Sequence, residues 1–343
     1  MKNIDIKKLL NTTEYSFLKE DKHLGNNIML LTTGGSHAYG TNVKGSDIDI
    51  RGIALSRKEE LLGLSSFEQF EDKNTDTIIY EFNKVARLLL NCNPNIIEIM
   101  GTKAEHIFIL SDEGKLLKDN IDIFLSQRVI QSFGGYATAQ LRRLQNALAR
   151  DNYPQIEKEN HILNSIINQM NHLKEHYEQF TSDDISLYID DSSKDDFEKE
   201  IFMDISLKHY PLRDFKNIYS EMSNVVKDYN NLNHRNKKKD DLHLNKHAMH
   251  LLRLLIMGTE ILEGRGINTY RETDREFLLD IRNGKYQNDD GSYSKEYFEL
   301  VDMYEKKMQY AAKNTNLPTL PDMKKIDELV IEINKRGLRN ENI

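Results

Sequence analysis

Short runs of apolar, β-branched residues dominate the first third of the chain, and helical periodicity takes over after it. The runs IMLLTT, DIDIRGIAL, DTIIY and HIFIL predict strands between residues 26 and about 110, separated by helical stretches such as NKVARLLLN. From about residue 126 onward the pattern predicts mostly helix. The expected class is therefore α+β, a mixed sheet followed by a mostly helical C-terminal domain, with domains at 1–125 and 126–343. Inside the second, residues 150 to 240 are rich in Asn, Asp, Lys and Glu, and SDDISLYIDDSSKDD reads as a loop or a poorly packed insertion. A dense apolar helix is expected at HLNKHAMHLLRLLIMGTEIL, stopping at Gly264, which accepts a left-handed conformation. The last helix places Met323, Ile326, Leu329, Val330 and Ile333 on one face and should dock on a core. No internal repeat is present.

Composition narrows the setting. Apolar residues make up 38% and charged residues 30%, a polar-surfaced chain with no run long enough to span a bilayer. MKNIDIKKLL carries charge throughout, which argues against a signal peptide, so a cytoplasmic location without a membrane partner is expected. Cys92 is the only cysteine, which excludes a disulfide framework and a thiolate cluster. A net charge of −8 means that nucleic acid must be met by a local basic surface. Bulk DNA binding is disfavoured; an enzyme acting on an RNA end is not.

The chemistry concentrates in LLTTGGSHAYGTNVKGSDIDIRG, residues 30–52. Residues two apart on a strand share a face, so Asp47 and Asp49 project together while Ile48 and Ile50 point to the core. Two like charges so placed are tolerable if they hold divalent cations, and Mg²⁺ takes a few hard oxygens plus substrate phosphates. Gly34 and Gly35 allow close backbone approach, and SHAYG opens a short helix whose amides face an anion. Other readings fit less well. A DxD pair alone is common in charged proteins. DIDIRG begins like a calcium loop but has Arg51 fifth and Lys58 twelfth. GTNVKGSD lacks the lysine of a Walker loop, and GGSHA has Ala38 where a hydrolase elbow needs glycine.

Gly35-Ser36, ten intervening residues and then Asp47-Ile48-Asp49 resemble the signature of the polymerase β-type nucleotidyltransferase superfamily. The longer string GSHAYG…GSDIDIRG resembles its RNA repair pathway DNA polymerase β family, also called RlaP-like or YcgL-like. DTIIYEFNKVARLLLNCNPNIIEIM, FGGYATAQLRRL and KHAMHLLRLLIMGTEILEGRGINTYRETDREFLLDIRNG extend the likeness over most of the chain. The resemblance implies a polymerase β-like nucleotidyltransferase core that transfers a nucleoside monophosphate from a nucleoside triphosphate to a hydroxyl, with two metal ions, magnesium or else manganese. Gly35 and Ser36 would hold the triphosphate, and Asp47 and Asp49 the metals. For the third carboxylate, general base and shared ligand, Asp76 is preferred, with Asp72 and Glu81 left open because Asp76 and Glu81 fall on opposite strand faces. The acceptor it suggests is an RNA end, such as a tRNA 3′ end; a protein or small-molecule acceptor, or a silent nucleotide-binding regulator, are the other readings.

Further candidates lie downstream. Lys246, His250 and Arg253 share a helical face and could clamp phosphate or form a solvated basic face. His243, His247 and His250 have metal-ligand spacing but no accompanying carboxylate. NHRNKKK, residues 233–239, is a solvated loop or a tether for an RNA backbone, and FGGYATAQLRR adds Tyr136, Arg142 and Arg143. Arg51 is read as a partner of the aspartates or of phosphate, and Tyr39 as packing in preference to base stacking. Oligomeric state is not legible.

Overall fold

A computed structural model of the chain describes residues 3–152, 185–191, 199–206, 241–289 and 291–340, with a few single residues between 160 and 226. It is α+β. Strands β1 (Ile28–Thr33), β2 (Ile50–Ala54), β3 (Gln69–Asp72), β4 (Thr77–Glu81) and β5 (Ile107–Leu110) form a five-stranded sheet in the order β3-β4-β2-β1-β5. The β2–β4 pair is parallel and the others antiparallel, so the sheet is mixed. All six residues of β1 are buried, consistent with its position inside the sheet. Burying side chains such as Leu30 and Leu31 contributes about 1.5–3 kcal/mol each.

Ile50 and Ile79 of the sheet pack with Ile6, Tyr15, Leu18 and Leu24 of the N-terminal segments, and Ile48 lies against that cluster. The Phe82–Leu90 helix starts directly after β4 because Glu81 caps it, accepting from the amides of Asn83 (2.8 Å) and Lys84 (2.7 Å). The Met323–Asn340 helix buries Ile326 and Ile333, while Met323, expected on that face, is 49% exposed at its first turn. Gly337 sits close to Leu55, where an added Cβ would lie 3.2 Å from a Leu55 methyl. The Asp241–Leu262 helix ends two residues before Gly264, which has φ 73°.

By contact the chain forms two units: residues 1–140, 248–285 and 295–343, and residues 141–247 with 286–294. The second unit holds a correction. ISLYIDD, read as part of a loop or a poorly packed insertion, is not loop but strand β6 (Ile185–Asp191), paired antiparallel with β7 (Lys199–Ile205). Alternation explains it: Leu187 and Ile189 are half-buried between exposed Ser186, Tyr188 and Asp190. In the same unit Asn245 bonds to Tyr293 and Gln287. No helix among the described residues is long and apolar enough to cross a membrane.

Candidate active site

Strand direction gathers the motif. β1 ends at Thr33 beside the start of β2, and β4, parallel to β2, starts at the same edge, with Thr33 opposite Ile50 and Ile50 opposite Thr77. Backbone bonds extend the ladder past the strands: Gly34 donates to Asp49 O (2.8 Å), and Ile50 donates to Asp76 O (3.1 Å). The glycine turn, Asp49 and Asp76 are thereby fixed side by side.

The Arg51 guanidinium lies between the two carboxylates. Its Nη2 donates to Asp49 Oδ1 at 3.0 Å and to Asp76 Oδ1 at 3.1 Å, and its Nη1 to the carbonyls of Ile50 and Asp76. Asp49 and Arg51 side chains are each 20% exposed and Asp76 50%, so the cluster faces solvent on one side. Asp76 holds φ 45°, an uncommon conformation for a residue with a Cβ, worth about 1–3 kcal/mol of strain. The glycine pair makes room for this cluster: a Cβ on Gly35 (φ 53°) would lie 2.0 Å from Asp49 Oδ2, and one on Gly34 2.6 Å from Arg51 Cγ. Asp47 lies ahead of β2 in irregular chain and is exposed.

From Gly34 the chain enters the short Gly35–Tyr39 helix, whose first turn has no side-chain cap. Ser36 is buried in it. Tyr39 packs: its hydroxyl donates to Glu98, and the Arg253 guanidinium lies 3.6 Å over its ring. The following loop is braced from the 271–282 segment. Arg271 N donates to Tyr39 O (3.0 Å), Arg275 Nε to Gly40 O (2.5 Å), and Arg282 to Thr41 O (2.7 Å) and Ser46 Oγ (3.2 Å). The His37 ring lies 3.5 Å from Ser46 O, and burial chiefly, with a contribution from Arg282, lowers its pKa.

The remaining candidates separate. Glu81 is 3% exposed and committed to capping, with Ser56 also donating to it. Asp72 closes its own turn, accepting from Thr75 N and Oγ1. Lys246 is exposed and belongs to the second unit, whereas His250 is half-buried and belongs to the first. Arg253 is 5% exposed and bonded to Glu98 Oε1 at 2.5 Å. The three therefore form no continuous basic strip, because residues 251–262 are buried on every side of the helix. Phe133 is buried and Tyr136 is 38% exposed, accepting from Asn93. The side chains of Arg142 and Arg143, and all of 233–239, lie outside the described residues.

Sequence reasoning missed Arg275 and Arg282. The available signal was TYRETDREFLLDIRNG, where Arg271, Arg275 and Arg282 recur at four and seven residues, a helical spacing. Among the described residues no three His, Cys, Asp or Glu are drawn together tightly enough to hold a metal ion. The donor chemistry nevertheless suits one: two carboxylates converge on a cation, the guanidinium of Arg51, and Asp47 stands two residues from Asp49.

By family the chain is a polymerase β-type nucleotidyltransferase. The family model for RlaP, the RNA repair pathway DNA polymerase beta family, matches residues 11–332, and the chain belongs to that family. No curated protein and no solved structure matches the chain.

Proposed function

We propose that the chain transfers a nucleoside monophosphate from a nucleoside triphosphate to a hydroxyl at an RNA end, such as a tRNA 3′ end. One observation carries the reading: Asp49 and Asp76 converge on a cation directly beside the Gly34-Gly35-Ser36 turn. Asp47, Asp49 and Asp76 would hold Mg²⁺ or Mn²⁺ once Arg51 withdraws. The ions supply charge neutralisation of the triphosphate and activation of the attacking oxygen. Gly35 and Ser36 cradle the phosphates through backbone amides and hydroxyl. Asp76, more exposed than Asp49, takes the proton of the acceptor hydroxyl. The acceptor oxygen then bonds to the α-phosphorus, the α–β bridge breaks, and pyrophosphate leaves.

The test is to incubate the protein and Mg²⁺ with each α-labelled triphosphate and total RNA, protein lysate or small metabolites. Label should enter RNA and disappear in Asp47→Ala and Asp49→Ala proteins that melt like the parent. Label confined to polypeptide or metabolites moves the acceptor to that class. No label anywhere leaves a nucleotide-binding regulator.

A further inference from the structure

We infer that Arg282, with Arg275 beside it on the same helix, binds the polyphosphate of the incoming nucleoside triphosphate. The inference rests on the nucleotidyltransferase reading and assigns a role that the sequence placed on Lys246, His250 and Arg253.

Charge matching within the first unit carries it. Arg253 meets Glu98, Arg271 meets Glu260 and Asp274, and Arg51 meets Asp49 and Asp76. Arg275 and Arg282 meet none: among the described residues their bonds go to neutral oxygens, Gly40 O, Thr41 O and Ser46 Oγ. Arg282 is half-buried, and that burial lowers its pKa, the mark of a desolvated cation without a counter-ion. Arg128 is also half-buried and without a carboxylate, but it bonds to Leu90 O and Asn91 Oδ1 at the negative end of the nine-residue Phe82–Leu90 helix. The five-residue helix ahead of Gly40 offers Arg275 and Arg282 much less. The Thr41 hydroxyl, on the residue that accepts from Arg282, is likewise buried with no partner among the described residues.

Position names the anion. Both guanidiniums reach the 40–46 loop, which starts at the end of the GSHAY helix and finishes at Ser46, one residue before Asp47. An anion brought there is the triphosphate tail, which the positive charge of the guanidinium attracts.

Binding of ATP, GTP, CTP and UTP, and of the four monophosphates, to the full chain with Mg²⁺ should be measured by calorimetry. The parent should prefer the accepted triphosphate over its monophosphate. Arg282→Gln should weaken that triphosphate about tenfold or more, leave the monophosphate unchanged, and flatten the salt dependence. Arg282→Lys, which keeps the charge but not the fork that braces Thr41 O, should stay within about threefold of the parent. Parent-like binding by Arg282→Gln overturns the inference alone, as does a loss in Arg282→Lys equal to that in Arg282→Gln, which would mark a brace only. A parent that binds no triphosphate overturns the nucleotidyltransferase reading, and this inference with it.

Discussion

Two groups of arginine–carboxylate pairs in the first unit use the same chemistry in opposite surroundings. At the sheet edge, Arg51 holds Asp49 and Asp76 with one face open to solvent. Deeper, Arg253 holds Glu98 beneath Tyr39, and Arg271, 2% exposed, holds Glu260 and Asp274. Burial opposes the charge on Arg253, yet Glu98 and Tyr39 keep its pKa above the usual arginine value. Burial likewise pushes the Tyr39 phenol well up, so it stays protonated and donates to Glu98. Removing one member of the deep group strands a charge away from water. At the edge, water and an incoming ion can replace the partner. The deep pairs are therefore structural and the edge cluster exchangeable.

The sharpest way to break that contrast is Arg253→Met, which strands Glu98. It should cost about 3–5 kcal/mol in urea unfolding, and the Glu98→Leu/Arg253→Met double variant should recover much of the loss. A loss within about 1 kcal/mol would place the deep pair in the same class as exposed ones. Arg51→Gln should change stability by about 1 kcal/mol or less in EDTA, after allowance for screening. Magnesium should then raise its melting temperature more than the parent's, since the competing guanidinium is gone; an equal rise would mean that Arg51 does not stand where the ion binds.

The smallest effect concerns pH. Burial lowers the pKa of His37 and of His106, so both are neutral in the fold while the unfolded chain titrates near 6.5. Their contribution is fully present above pH 6.5 and is lost as pH falls below it through the lowered folded values. Thermal melts from pH 8 to 5 should show the parent losing stability over the lower part of that range, with a shallower loss in His106→Asn.

Much of the sheet was legible in the sequence because four of its strands are runs of β-branched residues. β3 was not: QFED is half-exposed at the sheet edge and carries no apolar alternation. The glycine turn and the aspartates announced themselves by spacing, but the bridge by Arg51 depends on β4 lying beside β2, which no local pattern records. Arg253 was read as part of a phosphate clamp or a solvated basic face because its spacing from Lys246 and His250 is helical. Its immediate surroundings, HLLRLLIM, and those of Glu98, NIIEIM, were the better guide: a single charge in an all-apolar stretch needs an opposite charge in the core. Asp76 was preferred over Glu81 from the sequence alone, but that Glu81 caps a helix became visible only in the fold.

The backbone rungs from Gly34 to Asp49 and from Ile50 to Asp76 set the spacing of the acidic positions through peptide groups, with no reliance on side-chain fit. The connection between β2 and β3 should consequently accept inserted residues at its exposed tip around Leu64 without moving a carboxylate. A single deletion within β2 should turn Asp49 toward the interior and carry Arg51 with it. Tolerance of length in one stretch and intolerance in its neighbour is thus written into the main chain.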